Sequence, residues 1–231
     1  MPEGEGEVRA VFRRSFYLRV GDRLACVGDP SIGRGPLNAL IESVRLPAIG
    51  ERLALSTQGA EPWAPPPPRP HVRLDLQGLR GAALGRVPAE GFGCLIVDQH
   101  NSLSGHAQPA LDALERWLAG NALEADAEQL IGLGPGLTPA GDDYLGGMLV
   151  ALNQLGRAQQ ARGLWRWLEP RLARTSDISA AHLAAAAAGE AHEALHAVLA
   201  GELAVEKIAA VGHTSGWDAL AGVVAVARTH G

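Results

Sequence analysis

Residues 132–147 read GLGPGLTPAGDDYLGG, six glycines and two prolines inside a chain otherwise rich in Ala and Leu. No regular element can run through the first half of this segment, because proline removes a ladder donor and glycine weakens helix and strand alike. Thr138-Pro139 then marks a helix start. Thr can accept from a free backbone N–H as N-cap, and proline at the first helical position gives up an amide that had no partner. Beyond it Leu145, Met148, Leu149 and Leu152 share one helical face, with Asp142 toward the buried side and Asp143 rotated from it by about 100°. The loop glycines Gly134 and Gly136 permit positive φ and close approach of backbone to a ligand.

A Gly-rich loop opening onto a helix N-terminus favours anions, through unpaired N–H groups and the helix dipole together. No Lys-Ser/Thr follows these glycines, so this is not a P-loop, and G-x-G-x-G is not the dinucleotide fingerprint. The plainer alternative is that the acids only favour the dipole and the glycines only make a turn.

The pattern recurs in GHTSGWDALAGVV at 212–224. Gly141, Asp143, Leu145 and Gly147 match Gly216, Asp218, Leu220 and Gly222 at a constant interval, each set opening an apolar helix after a Thr. This predicts two helices that pack through Gly147 and Gly222 and bring their N-termini together. The site so formed would combine two helix dipoles, the hydroxyls of Thr138, Thr214 and Ser215, the imidazole of His213, and the acids Asp142, Asp143 and Asp218. Asp218 also fits the last position of a capping box begun by Ser215. In RTSDIS at 174–179, Arg174 and Thr175 are further candidate anion ligands, while Ser176 or Asp177 can cap a helix beginning near Ile178. A small anion suits the set. The residues demand no cofactor; the acids could hold a divalent cation such as Mg2+ or accept the N–H groups of an amide-bearing ligand, and residue type does not choose between these.

The rest of the chain divides by composition into a β-rich region, 1–105, and a helical region, 106–231, so the class expected is α+β. Strands are expected at 8–12, 15–20, 24–28, 37–44, 71–76 and 93–98, with Gly21-Asp22 as a two-residue hairpin turn. EPWAPPPPRP at 61–70 reads as an extended connector. Helices are expected at 108–120, 139–155, 158–173, 178–200, 203–210 and 216–229.

Composition narrows the function classes. Net charge is −5 and Lys207 is the one lysine, the arginines being scattered, so no electrostatic footprint for nucleic acid is present. Cys26 and Cys94 stand in no metal or redox spacing. No apolar run is long enough for a membrane span and MPEGEGEVRA has no signal-peptide pattern, which points to a soluble, cytoplasmic protein. No G-x-S-x-G elbow occurs.

GLGPGLTPAGDDYLGG, TSDIS-AAHL and GHTSGWDALAG, with GRGPLN near the N-terminus, resemble a bacterial domain family formerly of unknown function, the AllH-type subunit of oxamate carbamoyltransferase. The resemblance runs from about residue 9 to 229, and the family pattern usually has Ser where this chain has Ala140. It implies a multi-subunit enzyme of purine-nitrogen catabolism that converts oxalurate and phosphate to oxamate and carbamoyl phosphate. Its expected partners are those small anions and the other carbamoyltransferase subunits. The matched positions are Gly134, Gly136, Thr138, Asp142, Asp143, His213, Thr214, Ser215 and Asp218. A non-catalytic regulatory or scaffold subunit, and a metal-dependent amide hydrolase, are the competing readings.

Overall fold

The computed structural model describes residues 1–230, which form two compact units, Met1–Pro65 and the chain from Pro66 onward. In the first unit β1 (Gly4–Val11), β2 (Ser15–Val20), β3 (Arg23–Gly28), β4 (Asn38–Leu40) and β5 (Arg52–Leu55) make one sheet in the order β4-β3-β2-β1-β5. All pairs are antiparallel except β3 with β4. Val20 pairs with Arg23 across Gly21-Asp22, which is the expected hairpin. Alternation along the strands puts Val8, Phe16, Leu18, Ala25 and Val27 on one buried face. The strand expected over 37–44 is only three residues long, since the chain leaves the sheet after the Ile41 amide bonds to Gly28 O.

The second unit is helical: α1 (Leu76–Ala83), α2 (Ser102–His106), α3 (Gln108–Leu118), α4 (Ala140–Gln154), α5 (Ala158–Leu168), α6 (Asp177–Ala187), α7 (Glu193–Leu199), α8 (Val205–Ala209) and α9 (Ser215–Arg228). A sheet followed by helices is the α+β class expected. Two expected strands are absent. HVRLDL at 71–76 runs into α1, because the Asp75 carboxylate caps that helix by accepting the Gly78 amide at 2.8 Å. GCLIVD at 93–98 is a 3-10 turn over Gly93–Val97, an apolar run whose burial periodicity could not have distinguished. The helix expected over 178–200 is broken in two at Gly189, where φ is +82°, and His192 starts the second piece. That over 158–173 changes to 3-10 geometry near Pro170.

α4 is the spine of this unit. It packs against α9, α6 and α5, with Leu145, Leu149 and Leu152 wholly buried. A helix apolar on nearly every side can only be central.

Candidate functional site: the joined N-termini of two helices

The expected crossing is present. A Cβ on Gly147 would stand 1.9 Å from Ala219 O, and one on Gly222 would stand 2.0 Å from Tyr144 O. Tyr144 and Ala219 are themselves matched positions of the two motifs, so the contact is symmetric and the backbones touch where neither helix has a side chain. The pair runs with both N-termini at one end, where Thr138 Oγ1 meets Ser215 Oγ at 3.0 Å.

Neither helix start is built as the sequence suggests. Pro139, not Thr138, is the N-cap residue of α4, and no side chain caps it, because the Thr138 hydroxyl is drawn to Ser215 instead. The capping box from Ser215 to Asp218 does not form either; Thr214 precedes α9 without a side-chain cap, and Asp218 Oδ1 accepts the Phe92 amide at 2.5 Å. The chain's own carbonyls take several first-turn amides: Gly141 N–H bonds to Leu133 O, Asp142 and Asp143 N–H to Pro139 O, and Gly216 N–H to Val211 O. What the joined ends present is a set of hydroxyls beside buried Asp142 and Asp218 and half-buried Asp143.

The three acids differ. Asp142 is buried and its oxygens are filled, Oδ1 accepting the Gly132 amide at 2.9 Å and Oδ2 the hydroxyls of Thr175 and Ser179, the latter at 2.7 Å. It therefore ties the glycine loop to the start of α6. Gly132 is fixed by the same join, with φ at +72° and the Arg174 carbonyl 2.6 Å from where a Cβ would lie. Asp143 is half-buried, yet its Oδ2 is sealed and has no hydrogen-bond partner. Burial pushes the Asp143 carboxyl well above the usual range; the Asp218 and Asp142 charges add to this, while the hydroxyls of Ser215 and Thr138 oppose it. Asp218 is wholly buried, also with an unpartnered Oδ2, and burial raises its carboxyl to about 6 against the Phe92 amide and the Thr214 hydroxyl.

The other candidates lie around this centre. Gly134 and Gly136 both take positive φ in the loop before α4, where Gly136 is exposed. Thr214 and Ser215 are half-buried beside the acids. His213 is exposed, with Nε2 3.5 Å from Glu90. Arg174 turns to Glu128 at 2.9 Å, next to Arg171, and Thr175 is bound to Asp142. Ser176 caps α6 by accepting the Ser179 amide, and its hydroxyl donates to Leu137 O.

Sequence reasoning missed the loop that seats Asp218. Gly91, at φ +75°, lies so close that a Cβ there would be 2.4 Å from Asp218 Oδ1; Asn101 holds the loop by donating to Ala89 O and Gly91 O. No motif announced it, since the contact spans more than half of the helical unit's length; Gly91 beside Phe92 was the one local sign. Ser179 was missed as well, although Asp142 required donors once it was placed toward the core.

Asp142 is not free to hold a cation. Among the described residues no three His, Cys, Asp or Glu side chains converge as metal ligands, and the Asp142 oxygens already accept three hydrogen bonds.

Residues 130–227 match the family model for oxamate carbamoyltransferase subunit AllH. The resemblance seen in the motifs is thereby borne out over the stretch that holds both. The AllH match contains α4 entire and α9 except its last residue, with Asp142, Asp143, His213 and Asp218, and over this stretch the chain is similar to a subunit of a carbamoyltransferase. No solved structure matches the chain. Among the described residues no helix is long and apolar enough to cross a membrane.

Proposed function

We propose that this chain serves as a subunit of an oxamate carbamoyltransferase, acting with other subunits to convert oxalurate and phosphate to oxamate and carbamoyl phosphate in the cytoplasm. We further propose that the joined N-termini of α4 and α9 bind the small anionic substrates. The observation that carries this reading is the seam itself. Both AllH-matched motifs meet there, with the hydroxyls of Thr138, Thr214 and Ser215 beside half-buried Asp143 and buried Asp218. Hydroxyls and the loop at Gly134 and Gly136 would hold phosphate, while the acids would orient the carbamoyl group for attack on its carbon. Arg174, Thr175 and His213 enter this reading as flanking groups, and Asp142 as the tie that holds the loop.

Reconstitution with the partner subunits tests it. Oxalurate should be consumed only in the presence of phosphate, and Ser215→Ala should raise KM for phosphate about tenfold by removing one hydroxyl contact. Oxalurate cleavage without phosphate would refute transfer. One observation favours a second reading, a regulatory or scaffold subunit: the first-turn amides are in part used by the chain's own carbonyls. Isothermal titration in which neither phosphate, oxalurate nor carbamoyl phosphate binds the full chain would decide for that reading.

A further inference from the structure

One buried polar side chain of α4 has no part in the seam. Tyr144 follows Asp143, turned from it by about 100°, and its ring packs edge-on against Phe92 with 5.6 Å between centroids. Only 5% of Tyr144 is exposed, and among the described residues its hydroxyl meets no hydrogen-bond partner. A buried phenol usually finds one. Unlike the Oδ2 atoms of Asp143 and Asp218, this oxygen is not sealed, and Tyr144 lines a cavity of about 160 Å3 into which it opens. A cavity of roughly 150 Å3 already accepts a benzene ring.

The cavity lies between α3 and the C-terminal half of α9. Leu111 and Leu118 from α3, with Ala221 and Val224 from α9, make its walls apolar. Its polar lining is uneven in charge. Arg228 is already held by Asp98 at 2.6 Å and donates to Leu95 O. Asp112 accepts from Gln108 at 2.7 Å, an uncharged donor, and Glu115 is exposed with no ion pair among the described residues. Arg116, near enough to act on Asp112, is drawn to both oxygens of Glu124. Two carboxylates therefore line the cavity with no cation bonded to them. Burial holds the Tyr144 phenol well above its ordinary range, with the Glu115 charge adding and the Arg228 charge opposing, so the hydroxyl stays intact and can accept as well as donate. An ammonium group brings three donors for such acceptors, and an apolar body attached to it fits leucine and valine walls.

We propose that this cavity binds a small primary amine in its ammonium form, carrying an apolar body about the size of a benzene ring. Its N–H groups donate to the Tyr144 hydroxyl and the Glu115 carboxylate, Asp112 adds a second negative charge, and the body lies against Leu111, Leu118 and Val224. The site shares no residue with the hydroxyls and acids of the seam and stands independently of the carbamoyltransferase reading.

Benzylammonium is the probe, titrated into the 15N-labelled full chain at pH 7 and low salt. Backbone amides over 111–118 and 221–229 should shift and saturate with Kd of about 1 mM, ordinary for a ligand of so few atoms. Benzyl alcohol and benzoate carry the same ring without the positive charge and should bind at least about tenfold more weakly. Tyr144→Phe keeps the ring on Phe92 and removes an oxygen that had no partner, so the thermal midpoint should stay at the wild-type value while Kd for benzylammonium rises about tenfold, the loss expected of a hydrogen bond to a charged group. Glu115→Gln, at an exposed position, should raise Kd by about threefold. Wild-type affinity in Tyr144→Phe would overturn the proposal, as would benzoate binding as tightly as benzylammonium. Amides of α3 and α9 that do not shift at about 10 mM benzylammonium would overturn it as well, leaving the cavity to water alone.

Discussion

Asp142 and Asp143 are neighbours in the chain and opposites in the fold. One residue of helical rotation, about 100°, sends the first into a nest of donors and the second to the seam with α9. Adjacency made the two acids look like a unit in the sequence, and the burial of Asp142 was legible there because Leu145 and Leu149 marked the core side. Its partners were not legible, since Thr175 just before α6 and Ser179 within it arrive across a long chain separation. Asp142→Ala would strand the Gly132 amide and two hydroxyls. A buried donor left without a partner costs on the order of 1–3 kcal/mol, so about 3 kcal/mol is expected for the set, after partial rearrangement. Urea unfolding should show a lower midpoint with an unchanged slope. A midpoint equal to wild type would mean that the loop and α6 are not held by this carboxylate.

α4 and α9 were readable as a pair because the repeated Gly, Asp, Leu and Gly positions state the crossing twice. The helix starts were misread for one physical reason: a hydroxyl near a helix end has local amides and distant side chains as competing partners, and in Thr138 the distant Ser215 wins. Ala140 and Ser215 occupy matched positions, so the hydroxyl at that register comes from α9 alone. The seam predicts its own sensitivity. Gly147→Ala and Gly222→Ala each drive a methyl into a backbone carbonyl, which cannot move away as a side-chain end could, and each should cost about 2–3 kcal/mol. Because both act on one seam, the double variant should lose less than the sum. Gly163→Ala in α5 is the control: it meets nothing within 4 Å and should stabilise by about 0.5–1 kcal/mol through helix propensity. Thermal or urea denaturation separates these outcomes, and a Gly147→Ala protein as stable as wild type would show that the helices do not touch there.

At the scale of the molecule, the α+β class followed from where the chain switches from short alternating runs to helical periodicity. Particular elements escaped that reading where alternation was accidental, as in HVRLDL, or where an apolar run was short enough for either state, as in GCLIVD. Stability against pH is also a property of the whole helical unit, because buried groups on different helices titrate with opposite signs. His182 and His196 are pushed down to about 4 by burial, with the neighbouring His192 charge adding to it. His196 Nε2 accepts the Ala191 amide, which only the neutral imidazole can do. A depressed pKa contributes stability above about 6.5 that is lost as pH falls toward 4. Asp218 works the other way. Raised from 3.8 to about 6, it favours the fold when protonated, and that contribution disappears as pH rises through 6, a swing of about 3 kcal/mol. Asp218→Asn keeps a carbonyl oxygen for the Phe92 amide but removes the titration. Its stability relative to wild type should therefore climb between pH 4 and pH 7, by up to about 3 kcal/mol. The loss on acidification driven by the histidines should persist in that variant and shrink in His196→Gln. Urea midpoints at pH 4.5, 5.5 and 7 measure all three proteins, and an Asp218→Asn curve parallel to wild type across that range would mean that this carboxyl is ionised in the folded protein throughout.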